Sequence, residues 1–386
     1  MGTRTTIEHR AGGEPLAPGA HLPELDGLRG IAVLMVLLLH TRPTLFFWGW
    51  AGVDLFLVLS GFLITRILLE NRGQPGMLWA FYGRRALRIW PVYYLTLAVT
   101  AVLLVTTAPA GTPPAVPGGH WLSLVFLQNT EHYLPGAGAF GYIWFFEHSW
   151  SVAVEEQFYL IWPLLLVGLA LRPSRLLALG LAALCAALLA RSQGMSLHLL
   201  LTRVDGLILG AAVAFLATSP AQTLQRMPLR FIAYAAAAGA ALVLPYLWLG
   251  TLDRDAAFGP RAGAVLGFAL VFAAALCAVL RSIGRPQLGW LRLPALRWVG
   301  KISFGLYMYH VPIGYLGLLG VHHGVFGLVT AKLVMWVGSL LAAHLSYQLF
   351  EKRILALKRA LPYQGRPSAA ADRNGAVSDL EFRGDV

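Results

Sequence analysis

Ten apolar runs follow one another along most of this chain, at about 26–46, 50–70, 89–108, 149–171, 174–190, 204–218, 229–249, 263–280, 299–319 and 325–349. A helix needs about 20 mostly apolar residues to cross the roughly 30 Å of hydrocarbon in a bilayer. In lipid the backbone polar groups must also be satisfied within the spanning structure itself. The runs therefore predict an all-α fold, a polytopic transmembrane bundle of about ten helices. Composition decides against the soluble alternative. Only 12% of the 386 residues are charged, about half the ~25% of an ordinary soluble domain, too few to cover a water-facing surface.

The charges that remain report sidedness. With the N-terminus placed in the cytoplasm, 24 of the 30 Lys and Arg residues fall in inner connections or tails. The opposite orientation would invert that bias, so both termini are expected to be cytoplasmic. The net charge of +12 is on this reading a topology signal and not a nucleic-acid footprint. Three parts are expected: a cytoplasmic N-terminal segment over 1–25, a membrane domain over 26–350, and a cytoplasmic tail over 351–386 that is largely disordered. The first 25 residues show no apolar signal-peptide core, so the first helix is expected to insert uncleaved. The connection over 109–148 opens with the Pro/Gly-rich "APAGTPPAVPGGH", holds no Lys or Arg, and contains "WLSLVFLQN", read as an interfacial or re-entrant piece. Cys185 and Cys277 sit inside apolar runs without disulfide or metal-ligand spacing, and the histidines show no regular metal spacing, so no metal site is expected.

Ionisable residues within spans are costly and mark functional candidates. Arg29 and His40 lie eleven positions apart, three turns plus about 20°, so they share one helix face about 16 Å apart. Arg29 is either a positive-inside anchor or a ligand for an anion. His40 is either an interfacial polar residue or a general base. In "GVDLFLVLSGFLIT", Asp54 either complements the helix dipole or polarises a nearby imidazole, and the Ser60-Gly61 pair permits close helix approach. In "HSWSVAVEEQFYLIWP", Glu155 and Glu156 point about 100° apart. Each must be paired or protonated at that depth. Arg84, Arg85 and Arg88 cluster at the inner edge of the third helix, where guanidinium groups suit phosphate or anionic headgroups. Ser60, Glu155, Tyr159, Tyr309 and His310 are candidates to line a tunnel.

Taken in order, "LDGLRGIAVLMVLLLH", "GVDLFLVLSGFLIT", "FYGRRALRIWPVYYL", "HSWSVAVEEQFYLIWP" and "GKISFGLYMYHVP" resemble acyltransferase family 3, membrane O-acyltransferases that modify O-antigen, peptidoglycan, exopolysaccharide and, in some members, macrolides. The resemblance covers roughly 25–350. It implies that Arg29 and His40 are the family's signature pair, that Arg85 and Arg88 form its Arg-x-x-Arg, and that Glu156 is the essential carboxylate. It implies acyl-CoA, acetyl-CoA foremost, as the donor substrate, with no tightly bound cofactor. The expected acceptor is a carbohydrate or a glycosylated small molecule, and the expected location is a bacterial cell membrane. Some members carry an extracellular hydrolase-like domain after the bundle; the present resemblance is to the membrane part. The chemistry expected on this basis has phosphates held at Arg29, Arg84, Arg85 and Arg88. His40 acts as base or acyl carrier, with Glu156 or Asp54 fixing its tautomer. A proton-coupled transporter is the competing reading, since buried His, Asp and Glu also suit one.

Overall fold

A computed structural model describes residues 19–107, 120–133, 144–169, 172–252 and 258–363. Most of the N-terminal segment, the Pro/Gly-rich part of the 109–148 connection and the tail from 364 onward lie outside the described residues. Among the described residues there is no β-strand.

Among the described residues, each of the ten apolar runs falls on a helix. The helices are α1 (Pro23–Thr41), α2 (Ala51–Glu70), α3 (Met77–Thr107), α4 (Trp150–Pro163), α5 (Pro173–Ser192), α6 (Leu200–Thr218), α7 (Leu229–Leu252) and α8 (Phe258–Arg281). After them come a short amphipathic α9 (Pro294–Lys301), then α10 (Ser303–His322) and a last rod, α11 (Leu328–Ala360), containing π turns at Val334–Gly338 and Tyr347–Glu351. Eight of these helices are long and apolar enough to cross a membrane by length and composition. Three fall short: α9, with only eight residues, α1, whose first turns carry Glu24, Asp26 and Arg29, and α4, which Pro163 closes before a π turn at Leu164–Gly168. A proline removes one helical donor and crowds the preceding turn, so a change of winding at that point is expected.

The sequence places the start of the third helix at residue 89, but α3 begins at Met77. "MLWAFYGRRALR" is too charged to register as an apolar run, yet it holds no proline or glycine pair to stop a helix. The arginines therefore project from the body of a 31-residue helix and not from its edge.

The bundle is organised around α2, which is 78% buried over its most apolar window, against 17–22% for α5, α7 and α11. Its closest partner is α6. Here "GLILG" puts Gly206 and Gly210 one turn apart, and a Cβ on Gly210 would collide with the Val58 carbonyl oxygen, as one on Gly61 would with that of Leu207. Small residues in this spacing let two backbones touch, which is how helices gain packing energy in lipid. At the basic end, α9 lies against the first turns of α1 and Gly300 abuts the Asp26 main chain. The same end holds the Arg66–Glu70 ion pair (2.6 Å), the Gly19 amide on Glu70 (2.9 Å) and Arg281 capping the Leu224 and Met227 carbonyls (2.8 and 2.5 Å).

Candidate active site

Between α1, α2, α3, α4 and α10 lies a buried cavity of about 90 Å³. Arg29 reaches it from α1, Ser60 from α2, Arg85 and Arg88 from α3, Glu155 and Tyr159 from α4, and Tyr307 from α10. Each of the five helices turns one or more of its polar positions inward at this level, and those positions meet in the cavity. Arg29 is partly held by Asp26 (3.7 Å), which also takes a hydrogen bond from His21 (2.9 Å). The Tyr159 hydroxyl donates to Glu155 Oε2 (3.0 Å), so the hydrogen bond it shares with Ser60 is donated by the serine. Arg85 also lies over the Tyr159 ring at 5.8 Å. Three guanidinium groups and the Glu155 carboxylate thus meet in one chamber, and guanidinium groups are the side chains best suited to phosphates.

Of the four arginines expected to grip a donor, three line the cavity and Arg84 does not. It donates to the Lys358 and Leu361 carbonyls (both 3.1 Å) and its guanidinium lies 5.1 Å from the Tyr363 ring centre. Arg84 thus ties the end of α11 to α3. One residue of helix turns a side chain by about 100°, which is why Arg85, its neighbour, faces the cavity instead. The same rotation separates the two glutamates. Glu155 faces the cavity, whereas Glu156 lines a lateral groove of about 570 Å³ with Trp79, Tyr82, Trp90 and Leu160. There it accepts a hydrogen bond from Trp90 Nε1 (3.2 Å).

The expected carboxylate partner of His40 is absent among the described residues. Asp54 is paired with Arg203 (3.2 Å) and Glu156 with Trp90, so neither steers the imidazole. Its Nδ1–H instead donates to the Val36 carbonyl (2.9 Å). That bond fixes the tautomer and leaves Nε2 with a bare lone pair, the state a general base requires. The His40 ring meets that of His310 edge-on, 4.7 Å between centres.

His310 is fully buried and its Nδ1–H donates to the Tyr307 carbonyl (2.6 Å). Behind it His148 is 8% exposed, lies 5.2 Å from His310 and donates Nε2–H to the Met308 carbonyl (3.2 Å). The Tyr307 hydroxyl donates to the His148 carbonyl (2.6 Å) and accepts from Ser151 (2.7 Å). Tyr307, His148 and His310 therefore stand between the cavity and His40.

Sequence reasoning named Tyr309 as the tyrosine partner of His310. Adjacent residues on a helix do not share a face, whereas i and i+3 do, and that spacing points to Tyr307. Tyr309 turns away and bonds Ser346 Oγ (2.8 Å), which donates to Glu351 (2.9 Å). The same rule would have linked Ser151 to His148. Nothing in sequence pointed to Arg203 as a buried residue. It is buried between the Trp50 and Trp150 rings, 5.2 and 5.0 Å away, beside a second buried pair, Arg191–Asp205 (2.6 and 3.0 Å).

The bundle thus joins a chamber lined by three arginines to an imidazole oriented by a main-chain carbonyl on the same helix as one of them. The chain matches acyltransferase family 3, described as an acyltransferase domain, over residues 22–346, and it belongs to that family. Among curated proteins it is 31% identical over 356 residues to YrhL of Bacillus subtilis, provisionally named a peptidoglycan O-acetyltransferase, covering 86% of this chain and 55% of that one. It is 31% identical over 315 residues to the peptidoglycan O-acetyltransferase OatA of Listeria monocytogenes, covering 76% and 49%. The chain thus spans about half the length of the curated relatives it matches. No solved structure matches the chain at a significant level.

Proposed function

We propose that this chain is the membrane O-acyltransferase that its family and its relatives suggest. On this reading it takes an acyl group, acetyl foremost, from cytosolic acyl-CoA and passes it to a glycan hydroxyl, as the names of the peptidoglycan relatives indicate. The basic end of the bundle then faces the cytosol. The observation that carries the reading is the convergence of Arg29, Arg85 and Arg88 on one cavity, with Arg29 and His40 on one face of α1.

The two ends are about 16 Å apart along that helix, a distance suited to a pantetheine arm. CoA phosphates held by the arginines then place the thioester near His40. The cavity's 90 Å³ is less than the ~150 Å³ that accommodates a benzene ring, so the arm enters by parting Tyr307 and its neighbours. His40 Nε2 takes the proton of the acceptor hydroxyl as its oxygen attacks the thioester carbonyl, with the Val36 carbonyl holding the ring. The backbone carbonyl does here the orienting work that sequence reasoning gave to a carboxylate, though without its negative charge.

The test is CoA release by the purified protein in nanodiscs, supplied with acetyl-CoA and a soluble peptidoglycan oligosaccharide. His40→Ala is expected to abolish acceptor-dependent release. Turnover within threefold of wild type would refute the assignment.

A further inference from the structure

Three imidazoles in a row share an unusual state. In each, one ring N–H is consumed by a main-chain carbonyl, that of Val36, Tyr307 or Met308. Each therefore keeps one bare nitrogen. For His310 that is Nε2 and for His148 it is Nδ1, and both are buried without any hydrogen-bond partner. Leaving such a group unmatched in the interior is unfavourable by about 1–3 kcal/mol. The three rings do not converge as metal ligands, since among the described residues no group of three or more His, Cys, Asp or Glu is placed to hold an ion. What remains for a bare imidazole nitrogen is to accept a proton or a hydrogen bond from something that arrives.

Position says what that is. An acceptor hydroxyl reaches the exposed side of His40, while a thioester coming from the arginines passes Tyr307 and has its sulfur on the inner side, beside His310 and His148. The reaction begins by removing a proton at one side of the acyl carbon and ends with a thiolate that needs one at the other. Resting on the acyl-CoA reading above, we propose that His310, supported by His148, returns the proton to the departing sulfur. The acceptor O–H proton passes to His40 Nε2 as the new C–O bond forms. It moves one ring inward to His310, directly or through one bridging water. His310 gives it to the sulfur as the C–S bond breaks. One ester and one thiol leave, and all three imidazoles return to neutral. The titratable groups in ring contact with His310 are His40, His148 and Tyr307.

The experiment uses the full chain in nanodiscs with acetyl-CoA and the same oligosaccharide. His310→Gln retains an N–H for the Tyr307 carbonyl but has no basic nitrogen. Its kcat is expected to fall 100-fold or more, its KM for acetyl-CoA to stay within threefold, and the solvent deuterium isotope effect on kcat to change, because no ring then delivers the proton to sulfur. His310→Ala should regain activity with added imidazole, and His148→Gln should show a smaller loss. A His310→Gln enzyme within threefold of wild-type kcat overturns the proposal. So does a loss that leaves the solvent deuterium isotope effect on kcat unchanged, which marks a packing role; this readout stands even where His310→Ala does not fold. If His40→Ala is inactive while His310→Gln is active, only the relay fails. If His40→Ala is active, the parent reading fails.

Discussion

Asp54 is the residue on which catalytic and architectural readings diverge most, and Asp54→Asn separates them. Its carboxylate lies 3.2 Å from Arg203, with the two side chains 1% and 2% exposed. Neutralising it strands a buried guanidinium among Trp50, Trp150 and Arg261. Removing one partner of a buried ion pair typically destabilises by about 3–5 kcal/mol, whereas replacing both with apolar residues is often neutral or better. The variant is therefore expected to melt several degrees lower, with specific activity per folded molecule close to wild type. Asp54→Leu combined with Arg203→Met should recover most of the loss. Melting followed by size-exclusion fluorescence, with CoA release measured on the folded fraction, reads both quantities. An Asp54→Asn protein that melts like wild type yet has lost its turnover would refute this reasoning and return Asp54 to the chemistry.

Further expectations follow from the cavity and its surroundings. Arg85→Ala and Arg88→Ala each remove a charge-assisted contact worth about 1.5–3 kcal/mol, so each should raise the KM for acetyl-CoA by about 10- to 150-fold in initial-rate assays. Arg84→Ala should leave that KM within twofold while hydrogen exchange accelerates over 352–361, the stretch whose carbonyls it holds. Gly210→Val drives a side chain into the Val58 main chain. An overpacking loss of about 1–3 kcal/mol or more should appear as a lower melting temperature and reduced folded yield.

The membrane bundle was legible in the sequence because its physics is one-dimensional: hydrocarbon thickness sets the length of each apolar run. The cavity was legible in part for a related reason. A charge within a span must face inward, so Arg29, Arg85, Arg88 and Glu155 could be named without knowing their neighbours. Which neighbours they meet depends on helix rotation, and there the reading failed. Glu156 stands one residue, about 100°, from the inward-facing Glu155, and Tyr309 stands two residues, about 200°, from the inward-facing Tyr307. Asp54 was assigned to His40 by depth alone, whereas its partner comes from α6, some 150 positions along the chain. The backbone carbonyls that orient the three histidines leave no mark in sequence, since every residue carries one.

The wall formed by Tyr307, His148 and His310 has a consequence for the cell. A bacterial membrane lives by the voltage and proton gradient it maintains, and any continuous aqueous thread through a charged bundle would discharge them. Among the described residues, the rings of Tyr307, His148 and His310 pack between the arginine chamber and the His40 imidazole. On the proposed function, each turnover would part those rings around a substrate that itself fills the gap. Tightness and catalysis are thereby assigned to the same few side chains, and variants that loosen them should be read for leak as well as for rate.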